Sequence, residues 1–158
     1  MRYLLPLVAL LTVGSPLAAQ EDRADAEGLR ALTAAFSAAW EAHDPDALAG
    51  LWVPDGDLVD PMGQTARGRV EVSRLFREEH ASYMKGTALN VKVTATRVLG
   101  PGLALLDCDA QLRGVKTPDG KALPPLKHLV VAVVTKGAEG WRFVSVRLSV
   151  PVPPPPEK

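Results

Sequence analysis

The chain has 158 residues, of which 47% are hydrophobic, so it can bury one sizeable core but is too short for a second domain of ordinary size. Lysine and arginine together number 18, as do aspartate and glutamate, which leaves no net charge. A nucleic-acid-binding surface needs a basic stripe rather than interspersed charge, so this composition argues against a nucleic-acid partner.

The first 20 residues have the pattern of a secretory signal peptide. Arg2 supplies a positive charge, an apolar run extends from Leu4 to Val13, and small residues precede Gln20. The run is shorter than the roughly 20 residues that a membrane-spanning helix needs. We therefore expect a cleaved signal peptide over residues 1–20, a secreted or periplasmic protein, and no stable membrane insertion after cleavage. An uncleaved membrane anchor is the alternative.

Two helices are predicted at the start of the mature chain. From Leu29 the apolar residues recur at helical spacing, and Asp44 followed by Pro45 ends this first helix and opens a second. The second helix is short and is expected to close at Pro54. The following Asp55-Gly56 pair predicts a turn into a brief strand.

The brief strand covers residues 57–60, and a third helix follows Gly68 with aromatic residues on its inward face. The remaining sequence is rich in valine and leucine and predicts four long strands, over residues 89–99, 103–112, 126–135 and 141–150.

This order of elements predicts the fold class. Three helices followed by antiparallel strands indicate an α+β domain over residues 21–150: a cone-shaped roll of a curved antiparallel sheet, with three N-terminal helices packed on its concave face. Such a roll encloses a cavity. Residues 151–158 are dominated by proline and predict an extended, disordered tail.

The single cysteine and the metal-binding residue types offer little chemistry. Cys108 is the only cysteine, so no internal disulfide can form. It lies in an apolar run, where a buried, inert thiol is expected rather than a nucleophile. No spacing of histidine or cysteine matches a zinc site, and we expect neither a metal nor a cofactor.

Several short motifs, in this order and at this spacing, resemble the nuclear transport factor 2-like superfamily, and within it the SnoaL-like and ketosteroid isomerase-related group. The resemblance covers Leu29 to about Ser149, and its motifs are Trp40-Glu41-Ala42-His43-Asp44, Leu51-Trp52, Pro54-Asp55-Gly56, Asp60-Pro61, Gly68-Arg69 and Gly140-Trp141-Arg142-Phe143. It implies a cavity that binds a small apolar molecule, and a homodimer formed through the outer face of the sheet.

The Asp60-Pro61-Met62-Gly63 turn is similar to the turn that carries the general base of steroid isomerase. The same resemblance places the two tyrosines of that site on Phe36 and Phe76, and its protonated acid on Ala132. None of these three side chains can donate a hydrogen bond, and losing one oxyanion donor typically costs about 2.7–4 kcal/mol of transition-state stabilisation. We therefore do not expect steroid isomerase activity.

Asp60 and His128 are the candidate catalytic residues. If Asp60 faces an apolar cavity, desolvation disfavours its charged form and makes it a useful base; if it faces water, it only caps a turn. Alternation places His128 on the same strand face as Val130 and Ala132, which the resemblance assigns to the cavity. There it could shuttle a proton, although packing alone also accounts for it.

Alternation also places Ser145, Arg147 and Ser149 on one face of the last strand. The candidate ligand-binding residues are Phe36, Trp40, Trp52, Phe76, Val130, Ala132, Ser145 and Arg147. Arg147 is expected to hold an acidic ligand or to pair with Asp60, with a place on the dimer surface as the alternative.

Two functions are considered. The first is a secreted domain that binds a small apolar molecule, with acid–base catalysis of the isomerase, lyase or cyclase type at Asp60. The second is a non-catalytic homodimerisation or adaptor module whose cavity is filled by its own side chains.

Overall fold

The computed structural model describes residues 16–152, which form three helices and six strands. Most of the predicted signal peptide (residues 1–15) and of the proline-rich tail (residues 153–158) lies outside the described residues.

The three helices are α1 (Pro16–Glu41), α2 (Pro45–Gly50) and α3 (Arg69–Ala81). The junction between α1 and α2 forms as predicted, because the Asp44 carboxylate accepts hydrogen bonds from the amides of Asp46 and Ala47 at 3.1 and 2.9 Å. α1 begins well before Leu29, inside the segment predicted to be cleaved. Within residues 16–152, no helix combines the length and the apolar character that crossing a membrane requires.

The six strands form one sheet in the order β2-β1-β6-β5-β4-β3. Their bounds are β1 Trp52–Val59, β2 Thr65–Arg67, β3 Ala88–Gly100, β4 Leu103–Arg113, β5 Leu126–Gly137 and β6 Gly140–Ser149. All pairings are antiparallel except that of β1 with β6, which is parallel. The α+β class and the curved, unclosed sheet with helices against it confirm the predicted fold.

The region from Trp52 to Asp57 differs from its prediction. Pro54 does not close a helix; it lies inside β1, which already begins at Trp52 beside Phe143 of β6. The register shifts between Trp52 and Asp57, so the expected turn at Asp55-Gly56 is an irregularity within the strand. The strand conformation of this region depends on pairing with β6, some 90 residues later in the chain, and local turn propensity cannot predict such a pairing.

The core lies between the helices and the concave face of the sheet. Phe36 of α1 is at its centre, with four aromatic rings at centroid distances of 5.9 to 6.4 Å, those of Trp40, Trp52, Phe76 and Phe143. The opposite face of the sheet leaves apolar side chains exposed, among them Leu129 and Val131 of β5.

Candidate functional site

A cavity of about 100 Å³ lies between α1, α3 and the concave face of the sheet. Cavities of roughly this size hold a molecule such as benzene. Apolar side chains make up most of its wall. Among the described residues, the side chains that line it and carry nitrogen or oxygen are Thr33, Trp40, Trp52, Asp60, Glu79 and His128, and no lysine or arginine lines it.

Asp60 lies in the tight turn that joins β1 to β2. Its Oδ1 accepts hydrogen bonds from the amides of Met62 and Gln64, at 2.9 and 2.7 Å. The turn is closed by the Gly63 amide, which donates to the Asp60 carbonyl at 3.1 Å, and Gly63 has a φ of 86°, which suits glycine. One oxygen of Asp60 therefore caps a turn, as the simpler prediction held.

The second oxygen of Asp60 has a different environment. The residue is only 4% exposed and lines the cavity. Within residues 16–152 its Oδ2 is buried and has no hydrogen-bond partner. An unpaired buried acceptor costs about 1–3 kcal/mol, and more when it is charged. Asp60 thus holds the turn through Oδ1, while Oδ2 has no partner within the described residues.

Glu79 is a second buried carboxyl group in the same wall, and it is not among the predicted site residues. It lies on α3, is 8% exposed, and accepts a hydrogen bond from the Tyr83 hydroxyl at 2.8 Å. Burial raises the pKa of Glu79, the Tyr83 hydrogen bond opposes this, and the charge of Asp60 raises it further. The sequence could have indicated that Glu79 faces the interior, because it falls on the apolar stripe of its helix, one turn after Phe76.

His128 lies on β5 and lines the cavity together with Val130 and Ala132, the two residues with which strand alternation grouped it. Burial lowers the pKa of His128 below its ordinary value, which keeps the imidazole neutral near pH 7. A neutral imidazole can both accept and donate a hydrogen bond.

Six of the eight predicted ligand-binding residues line the cavity, namely Phe36, Trp40, Trp52, Phe76, Val130 and Ala132. The other two, Ser145 and Arg147, do not line it. In β6 the inward positions are Phe143, Val146 and Leu148. The register with β5 shifts by one residue next to Val144, and this reverses the alternation and turns Ser145 and Arg147 to the outer face.

Arg147 pairs with Asp57 rather than with Asp60. Its Nη2 donates to Asp57 Oδ2 at 2.6 Å and its Nη1 to Oδ1 at 3.1 Å. This two-point contact lowers the pKa of Asp57, chiefly through the Arg147 hydrogen bonds. Arg147 therefore lies on the outer face of the sheet and neither lines the cavity nor pairs with Asp60.

Cys108 faces the interior, as predicted, and its neighbours Asp107 and Asp109 face the other way. Burial, with a smaller effect from these two carboxylates, raises the pKa of the Cys108 thiol to about 11. In the part of the chain that the structure describes, no three histidine, cysteine, aspartate or glutamate side chains are grouped so that they could hold a metal ion.

The family model of the SnoaL-like domain matches residues 29–153. The chain therefore belongs to the SnoaL-like domain family. A comparison with curated protein sequences finds no match.

Solved structures show the same fold. An NTF2-like protein with a cystatin-like fold from Novosphingobium aromaticivorans is 23% identical, with a TM-score of 0.73, over 89% of this chain and 91% of that one. A proposed scytalone dehydratase from the same species is 17% identical, with a TM-score of 0.73, over 85% and 89% of the two chains. A ketosteroid isomerase-like protein from Erwinia carotovora is 17% identical, with a TM-score of 0.63, over 78% and 94%.

Proposed function

We propose that this SnoaL-like domain binds a small, largely apolar molecule in its cavity and that Asp60 removes a proton from it, as an isomerase, lyase or cyclase would. The observation that carries the proposal is Asp60 Oδ2, which is buried at a mostly apolar wall and has no hydrogen-bond partner within residues 16–152. A ligand that brings a hydrogen-bond donor or an acidic C–H group to this oxygen offsets the cost of leaving it unpaired.

The cavity size limits the ligand class. Its volume of about 100 Å³ is smaller than the roughly 300–1,000 Å³ typical of drug-sized ligands. Phe36, Phe76 and Ala132 line the same space and offer no side-chain donor. We therefore expect a ligand close to a single six-membered ring in size, and no steroid isomerisation.

Binding is tested by calorimetry with phenol and toluene, two probes of nearly equal size. Phenol carries a donor for Asp60, so it should bind the wild-type protein more tightly than toluene. Asp60→Asn should weaken phenol binding by about 10- to 100-fold, the range for a hydrogen bond to a charged group, and leave toluene unaffected. Asp57→Asn, on the outer face of β1 just before the Asp60 turn, is the matched control and should change neither affinity. Equal losses in the two variants would contradict the site assignment.

Proton removal is tested with cyclohexanone in D₂O. The wild-type protein should accelerate deuterium incorporation next to the carbonyl, measured by proton NMR. Asp60→Asn should abolish the acceleration, whereas Asp57→Asn should retain it. Exchange that is equally fast in both variants would show that Asp60 is not the base.

A second candidate function is a non-catalytic homodimerisation module, and the tight aromatic packing around Phe36 favours it, because little of the interior is left empty. The exposed Val131 would lie in the dimer interface. Light scattering should then detect a dimer that Val131→Glu dissociates, while Val70→Glu on exposed α3 does not. A dimer that binds neither phenol nor cyclohexanone would favour this candidate.

Secretion is part of the same proposal and rests on the pattern of residues 1–20. Expression of the full chain in a bacterium with a periplasm tests it. N-terminal sequencing of the periplasmic protein should find a start at or next to Gln20, and an intact Met1 on protein retained in the cytoplasm would contradict it.

A further inference from the structure

We propose that Glu79 is the partner of Asp60: it stays protonated and donates a hydrogen bond to an oxygen of the ligand whose proton Asp60 removes. This inference rests on the proposed function and specifies the ligand as a small carbonyl compound.

The placement of the two carboxyl groups is the first argument. Asp60 follows β1 and Glu79 lies on α3, yet both line one cavity of about 100 Å³ and both are more than nine-tenths buried. No lysine or arginine among the described residues lines this cavity to balance two negative charges. Two carboxylates that share an apolar space repel each other, so the pair retains one proton.

The hydrogen bonds indicate which group holds that proton. Two backbone amides donate to Asp60 Oδ1, and such contacts stabilise a carboxylate. Within residues 16–152, the one hydrogen bond to the Glu79 carboxyl group comes from the neutral Tyr83 hydroxyl, at 2.8 Å on Oε1. The other titratable groups of the wall are His128 and the thiol of Cys108. Burial lowers the pKa of His128, so its imidazole is neutral near pH 7. Burial also raises the pKa of Glu79, which agrees with a protonated Glu79.

This arrangement adds an O–H donor to a wall whose other N–H or O–H groups belong to Thr33, Trp40, Trp52 and His128. When a proton moves from the carbon next to a carbonyl group to Asp60 Oδ2, the electron pair of the broken C–H bond shifts to the carbonyl oxygen. The O–H group of Glu79 stabilises that oxygen by a hydrogen bond. Return of the proton from Asp60 to carbon regenerates both groups. Phe36, Phe76 and Ala132 cannot serve in this way, and Tyr83 holds Glu79 in place.

The protonation state is tested by carbon-13 NMR of protein labelled at the glutamate side-chain carboxyl, with the Glu79 signal assigned through Glu79→Gln. At pH 7 the Glu79 carbon should have the chemical shift of a protonated acid. In Asp60→Asn, which removes the neighbouring charge, the same carbon should titrate at a lower pH than in the wild-type protein. An ionised Glu79 at pH 7, or a titration unchanged by Asp60→Asn, would overturn the inference.

The donor role is tested by the cyclohexanone exchange assay. Glu79→Leu removes the donor and should slow exchange by about 10²-fold or more, whereas Glu79→Gln keeps an N–H donor and should restore most of the rate. Glu78→Gln, the exposed neighbour on α3, is the matched control and should not change it. A purely structural Glu79 would lose activity equally as Gln and as Leu, and that result would contradict a donor.

Failure of the inference and failure of the proposed function are distinguishable. If phenol and cyclohexanone bind and Asp60→Asn abolishes exchange, but Glu79 is ionised or Glu79→Leu is fully active, only the inference is wrong. If neither probe binds and no exchange occurs, the proposed function is wrong and the donor role falls with it.

Discussion

The Nδ1 atoms of His43 and His80 lie 2.8 Å apart and join the segment after α1 to the end of α3. At this distance one ring nitrogen donates and the other accepts, so the contact requires at least one neutral imidazole. His43 has a φ of 49°, a left-handed conformation that non-glycine residues rarely adopt. His80 is buried against Trp40, at a ring-centroid distance of 4.6 Å.

This histidine pair predicts a loss of stability in mild acid. Burial, with a smaller effect from His43, lowers the pKa of His80 from 6.5 to about 4. Between these two values the unfolded chain binds a proton that the folded protein does not, so the free energy of unfolding should fall as the pH falls through this range. The full effect is at most about 3 kcal/mol. Urea unfolding at several pH values measures it.

The matched variant for this prediction is His80→Asn, which cannot titrate. Its stability should decline less than that of the wild-type protein between pH 6.5 and pH 4. Glu79 contributes with the opposite sign, because its raised pKa adds stability at low pH that is lost as the pH rises through its folded value. Both proteins retain Glu79, so the difference between their slopes reports His80, and identical slopes would contradict the prediction.

At Gly28 we expect an exception to the rule that alanine stabilises a helix more than glycine does. Replacing glycine by alanine inside a helix normally stabilises it by up to about 1 kcal/mol. At Gly28 of α1, however, a Cβ atom would lie 2.5 Å from Trp141 Cδ1 on β6. Either the helix or the indole must move, so Gly28→Ala should lower the free energy of unfolding by about 1–3 kcal/mol.

The control for Gly28 is Gly50, at the end of α2, where a Cβ atom would meet nothing within 4 Å. Gly50→Ala should be neutral or stabilising by the same chemical denaturation measurement. Equal effects at the two positions would mean that the contact with Trp141 does not limit the size of residue 28.

A larger side chain at Ala132 should weaken ligand binding by filling the cavity. Its side chain is buried and lines the cavity, so Ala132→Leu occupies part of the roughly 100 Å³ available. Binding of both phenol and toluene should fall by at least about tenfold, measured by calorimetry. Val131→Leu adds bulk to the adjacent outer-face position and should leave both affinities unchanged. Unaltered binding by Ala132→Leu would place the ligand elsewhere.

The Cys108 thiol should react slowly with disulfide reagents in the folded protein. Its pKa is raised to about 11 and its side chain is buried, so little thiolate is present and access to it is blocked. At pH 8 the folded protein should react with a disulfide reagent such as dithionitrobenzoate at least about 100-fold more slowly than the urea-unfolded chain. Rapid modification of the folded protein would contradict a buried thiol.

Local sequence signals determined much of the fold. The periodicity of α1 and α3, the Asp44-Pro45 junction and the four long strands follow from patterns within short windows, and each is present in the structure. The Asp60 turn could also be predicted from the sequence, because aspartate, proline and glycine have strong turn preferences. These features depend on neighbours in sequence, and for that reason the sequence by itself was sufficient for them.

The tertiary structure alone decided which side chains meet. The parallel pairing of β1 with β6 brought Pro54 into a strand, and a one-residue irregularity in β6 turned Ser145 and Arg147 away from the cavity. The approach of Glu79 to the cavity that Asp60 lines depends on how α3 packs across the sheet. Such relationships are set by contacts between residues far apart in the chain, and a single added residue in a strand reverses its inward and outward faces. Patterns within a short stretch of sequence therefore predict neither the long-range contacts nor the reversal of the strand faces.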